Sequence, residues 1–237
     1  MKQIRKRTLA LVMALVMLLG TLVGGVAATE DSEQASLGAS EACAGHMLGI
    51  FSGVPACVND AGALHICENN FPDENFRAYV LGLAGAEDGY FTAQECEDIL
   101  SIDVYNNDIY SLQGVEFFTS ITYLSCIWNY ITDLNVDNNV KLKTLNCGGN
   151  QIAALDLSRN INLEILKCDS SQLSKLNVSN NYALIELDCG GNQLTELDLS
   201  NNTALLKLDC QSNLLSALDI SNNSALPVSY THLCCTG

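Results

Sequence analysis

From Ile99 to Leu226 the apolar positions of this chain keep one period. Cys126, Cys147, Cys168, Cys189 and Cys210 are each 21 residues apart, and the same interval separates Leu124, Leu145, Leu166, Leu187 and Leu208, as well as Leu134, Leu155, Leu176, Leu197 and Leu218. A fixed period of roughly 20 to 50 residues is the mark of a repeat architecture. The unit reads L-x-x-L-x-C-x-x-N-x-[IL]-x-x-L-x-[LIV]-x-x-N, and one earlier turn, "LSIDVYNNDIYSL", fits it with Val104 at the cysteine place and a spacing of 22. Within each turn, Leu-x-Cys has the alternation of a strand. Leu145 and Cys147 are therefore expected inside and Asn146 outside, with one short strand per turn centred near Leu124, Leu145, Leu166, Leu187 and Leu208.

Cysteine at an inward position is a small apolar core residue suited to a tight corner. Adjacent strands lie about 4.8 Å apart, slightly beyond the roughly 3.5 to 4.5 Å between Cβ atoms that a disulfide needs. Five free thiols in a column are expected. Asn107, Asn129, Asn150, Asn192 and Asn213 occupy the bend after each strand, where their amides can bond backbone groups otherwise buried unpaired. Ser171 breaks that ladder. Asn139, Asn160, Asn181, Asn202 and Asn223 form a second column at the other bend.

On these residues, over about residues 71–226, the chain resembles the leucine-rich repeat proteins of bacteria, and among them the internalin-like surface proteins. The resemblance implies a solenoid whose turns each add a strand to a parallel sheet on the concave face. It also implies small N-terminal helices serving as a lid. The turns are too short to hold a long helix on the convex side.

Ahead of the repeats, residues 71–98 fit such a helical cap. Phe76, Val80 and Leu83 have helical spacing behind Asp73, and Thr92 with Glu95 has capping-box spacing before a second helix over Ala93–Leu100. Related surface proteins often carry a calcium-binding loop of EF-hand type here. In "AGAEDGYFTAQE", Asp88, Gly89, Phe91 and Glu95 match that loop, but Ala84 and Ala86 fill two ligand positions. Calcium affinity falls with ligand charge, so no metal is expected. Residues 29–70 read as an acidic spacer followed by an irregular segment. Cys43, Cys57, Cys67 and Cys96 allow one or two disulfides, whose pairing stays open.

The first 28 residues have the basic start, apolar run and small-residue end of a secretory signal peptide. Without them the chain keeps seven basic against 27 acidic residues, a net charge of −20. Such a chain repels nucleic acid and anionic lipid, and no membrane insertion is expected after cleavage. Residues 227–237 leave the pattern and are expected to be non-native sequence that leaves the last turn open.

No enzyme is expected. His46, His65 and His232 accompany no recognisable nucleophile or metal motif, and the recurring carboxylates follow from the template. No cofactor is implied. The expected function is a secreted or cell-surface binding module that takes a protein or glycan ligand on the concave face; the alternative is a spacer or stalk for a further C-terminal domain. Outward positions are Tyr123, Ser125, Ile127 and Trp128, then Thr144 and Asn146, Ile165 and Lys167, Glu186 and Asp188, and Lys207 and Asp209. Apolar and aromatic residues gather at the N-terminal end. Trp128, the sole tryptophan, stands where other turns place Gly149, Ser170, Gly191 or Ser212, and either binds ligand or shields the cap junction.

Overall fold

A computed structural model describes residues 47–51, 53–83 and 85–227. Residues 1–28, the acidic stretch after them and the tail beyond Pro227 lie outside the described residues. The segment read as irregular contains strands: β1 (Met47–Phe51) and β2 (Val54–Val58) form an antiparallel hairpin. β2 pairs with β3 (Leu64–His65) at Val58↔Leu64, and β3 pairs with β4 (Tyr90–Phe91). Side-chain amides tie these short strands together. Asn59 Oδ1 accepts from Ala61 N and Ala63 N, while buried Asn70 accepts from Cys57 N and donates to Cys57 O and His65 O.

Two helices complete the cap. α1 (Glu74–Val80) starts where Asp73 Oδ1 accepts from Phe76 N at 2.9 Å, and it buries Phe76 and Val80. It ends earlier than its apolar spacing suggests, at Leu81, just before Gly82 and the left-handed Gly85. α2 (Ala93–Asp98) has the expected capping box, Thr92 N donating to Glu95 Oε2 at 2.7 Å and Glu95 N to Thr92 Oγ1 at 3.3 Å. Asp88 accepts from Tyr90 N. The two carboxylates that match the calcium-loop pattern thus hold a turn and a helix start.

The repeats build a parallel sheet of six strands, each in register with the next: β5 (Ser101–Asp103), β6 (Tyr123–Ser125), β7 (Thr144–Asn146), β8 (Ile165–Lys167), β9 (Glu186–Asp188) and β10 (Lys207–Asp209). The leucine at the centre of each strand from β6 to β10 is buried, as expected. One apolar core runs from Phe51 to Leu226. At the cap junction it is aromatic: Phe71 lies 5.7 Å from Phe117, 6.0 Å from Phe76 and 6.2 Å from Phe118, and Phe91 meets Phe118 edge-on at 5.7 Å.

Cys126, Cys147, Cys168 and Cys189 are buried free thiols. Burial pushes the thiols of Cys147 and Cys189 up to about 12, neighbouring carboxylates adding to the effect. The expectation of five free thiols fails at Cys210, which is disulfide-bonded. Cys210 follows β10, the last strand of the sheet among the described residues. Within the column a serine would bury a hydroxyl in apolar surroundings. Cys168→Ser is expected to cost about 1 to 2 kcal/mol, read as a lower urea midpoint at unchanged slope.

The asparagine ladder begins one turn later than expected. Asn107 is exposed, and its backbone N donates to Asn129 Oδ1 at 3.0 Å. Asn129, Asn150, Asn192 and Asn213 each donate to carbonyls of their own and the preceding turn, as Asn150 does to Cys147 O and Cys126 O at 2.9 Å. Their amide oxygens accept from the preceding turn, Asn150 from Ile131 N at 3.0 Å. The second column works through its amide nitrogens. Asn160 donates to Val136 O and Asn139 O, and Asn181 to Leu157 O and Asn160 O. The side-chain oxygens of Asn139, Asn160, Asn181, Asn202 and Asn223 are buried without a hydrogen-bond partner.

Candidate interaction surface

Apart from Asp188 and Asp209, the sheet positions chosen from the template divide into three groups. Tyr123, Ile127, Thr144, Asn146 and Ile165 are half-buried and border the exposed face. Ser125 is 2% exposed and offers a ligand nothing, which corrects its place among the outward residues. Lys167, Glu186 and Lys207 are tied into one another: Glu186 Oε1 accepts from Lys207 Nζ at 2.8 Å and lies 3.1 Å from Lys167 Nζ. These contacts, the Lys207 hydrogen bond foremost, hold the Glu186 carboxyl below its ordinary value. Exposed ion pairs of this kind contribute little stability, but they occupy the charges of the central sheet.

The aromatic residues stand at the edge where strands run out into the bend. Trp128 is 59% exposed and has φ +56°. The same left-handed place in other turns is filled by Asn106, Gly149, Ser170, Gly191 and Ser212, all with φ between +50° and +64°. Every turn therefore needs this conformation, and glycine, asparagine or serine meets it at least cost; a bulky residue there is an outlier. The ring reaches toward the next turn, away from the cap. A Cβ placed on Gly149 would come within 3.0 to 3.4 Å of the fused bond of the indole, so the ring lies close over this glycine. The phenylalanines described above fill the cap junction.

Three further exposed rings adjoin this edge. Tyr110 and Tyr130 stack with centroids 5.0 Å apart, and Tyr105 precedes Asn106 of the left-handed column. The selection by sheet position missed all three because they lie in the bend. A signal was present: Tyr130 replaces the Gln151, Gln172 and Gln193 of later turns, and Tyr105 replaces Gly148 and Gly190.

Beyond the rings the edge becomes acidic. The carboxylate of Asp169 leans over Gly148, the neighbour of Gly149, leaving no room for a Cβ there. Asp188 is held above its ordinary value by burial first, with Asp169 and Asp209 adding repulsion. Among the described residues no group of three His, Cys, Asp or Glu could hold a metal ion. A groove of about 560 Å³ lies on another side of the repeats, where its Asp156 accepts from Ser158 N at 2.9 Å. That bond holds Asp156 below the usual carboxylate range, so it is a turn-forming acceptor.

A parallel leucine-rich solenoid with an exposed aromatic edge is the form of a protein-interaction module. No protein-family model matches the chain, and no curated protein matches its sequence. Among solved structures, an internalin (InlF) from Listeria monocytogenes matches with 31% identity over 67% of this chain and 49% of its own, at a TM-score of 0.61. A leucine-rich repeat protein of Leptospira interrogans shares the fold at 20% identity, covering 57% of this chain and 36% of its own, at a TM-score of 0.52. The chain is an internalin-like bacterial leucine-rich repeat protein. It spans about half the length of the internalin it matches.

Proposed function

We infer that this chain is an extracellular adhesion module that captures a protein or glycan ligand on the N-terminal half of its concave sheet face and the adjoining aromatic edge. Trp128 carries the reading. A large ring held in a left-handed conformation costs roughly 1 to 2 kcal/mol, and 59% exposure recovers little of that by burial. Strained residues of this kind cluster at ligand-contacting sites. Tyr105, Tyr110 and Tyr130 enlarge the patch, with Tyr123, Ile127, Thr144, Asn146 and Ile165 as its floor. A plain spacer needs no such rings. Placement outside the cell rests on the signal-peptide pattern of residues 1–28.

The test screens the chain from residue 29 against arrayed extracellular proteins and glycans, then repeats the measurement with Trp128→Gly. Affinity for the captured ligand is expected to fall at least about 30-fold, the equivalent of roughly 2 kcal/mol. The melting temperature should hold or rise, since glycine fits the backbone. Undiminished capture with a lowered melting temperature would assign the ring to folding and overturn the reading.

A further inference from the structure

The indole of Trp128 and the carboxylate of Asp169 converge on one turn, lying over the adjacent residues Gly149 and Gly148. Asp188 and Asp209 follow along the same edge, close enough to Asp169 for the three to repel one another at Asp188. Of the lysines on the neighbouring face, Lys167 attracts Asp188 but is held by Glu186. Lys143 is paired with Glu164, Lys167 and Lys207 with Glu186, and no salt bridge among the described residues reaches Asp169, Asp188 or Asp209. The edge therefore offers an exposed ring beside carboxylates that take part in no salt bridge among the described residues.

Resting on the interaction reading above, we propose that the ligand is a protein that docks a basic side chain, arginine foremost, against the Trp128 ring and the carboxylates of Asp169 and Asp188. A cation over an indole face is attracted by the ring quadrupole, and the attraction grows as water leaves. Guanidinium suits this pair best, because its plane stacks on the ring while its N–H groups donate to carboxylate oxygens in the same contact. The ring alone would equally serve a sugar. The adjoining carboxylates and a net charge of −16 select a cationic partner and steer its approach.

Trp128 is the only tryptophan of the chain, so its emission reports on this place alone. The full chain is titrated with tetra-arginine and with tetra-citrulline, its uncharged counterpart, at roughly 0.15 M salt to screen diffuse attraction. Tetra-arginine is expected to change the emission saturably and tetra-citrulline to leave it flat. Asp169→Asn with Asp188→Asn should raise the dissociation constant at least about tenfold. Asp156→Asn with Asp198→Asn, both well away from the edge, should change it by less than about twofold, and melting curves verify folding of each variant. Flat emission with tetra-arginine, equal losses in both double variants, or saturation by a neutral glucose oligosaccharide instead would each overturn the proposal. Capture of an arrayed ligand that depends on Trp128 would then still stand, separating this failure from failure of the interaction reading.

Discussion

Replacing Phe71 by alanine is expected to destabilise the chain by about 3 to 5 kcal/mol, the range for a large aromatic lost from a core. Phe71 is fully buried, and its ring meets Phe76 of α1 together with Phe117 and Phe118, the rings that lead into the first full repeat turn. Beneath it Gly114 has φ +104°, and any Cβ there would collide with the Phe71 ring and with Asn70 O. The void therefore opens at a place built around this one ring. In a stacked array each turn is stabilised mainly by its neighbours, so the loss falls on the interface between cap and first turn. That interface has a polar tie as well, Asp73 Oδ2 accepting from Tyr110 N at 2.7 Å and Ser111 N at 3.2 Å. Urea unfolding followed by circular dichroism provides the measurement. A loss below about 1 kcal/mol would show that the cap adds no stability to the repeats.

What could be read from sequence follows from how often each signal was repeated. The strand at Leu145 is three residues long, too short to carry a period alone, yet five aligned turns give the same inward Leu and Cys. The capping box at Thr92 was legible because its chemistry is local. The β1–β4 sheet had neither advantage. Its β3 and β4 have two residues each, and Leu64 meets Phe91 only across 27 positions of chain. Cys210 shows the limit of the repeat itself: its sequence surroundings match those of Cys189, but it is disulfide-bonded where Cys189 is a free thiol. The candidate site was half legible. Trp128 stood out against Gly149 and Gly191, whereas Tyr110 was hidden, since a stack with Tyr130 across 20 residues depends on how one bend lies on the next.

Ser171→Asn is expected to stabilise the protein by about 1 to 2 kcal/mol. At the equivalent place Asn150 accepts from Ile131 N and donates to Cys126 O and Cys147 O, and Asn192 does the same for Leu173 N, Cys168 O and Cys189 O. Ser171 is too short to span these groups; its hydroxyl reaches only Asp169 O, at 3.5 Å. The amide of Ile152 consequently lacks the side-chain acceptor of the neighbouring turns, while Cys147 O and Cys168 O each keep one asparagine donor, Asn150 and Asn192, where Cys126 O and Cys189 O have two. Asparagine at 171 would give Ile152 N its acceptor, worth roughly 1 kcal/mol net where an unpaired donor is costly, and would add a second, weaker contribution at two carbonyls that are already bonded. The backbone is already suited, because Ser170 has φ +51° just as Gly149 and Gly191 have φ +64° before their asparagines. Chemical denaturation should show a raised midpoint, and hydrogen exchange should slow at Ile152. A midpoint that stays put would mean that this turn satisfies its backbone by another route.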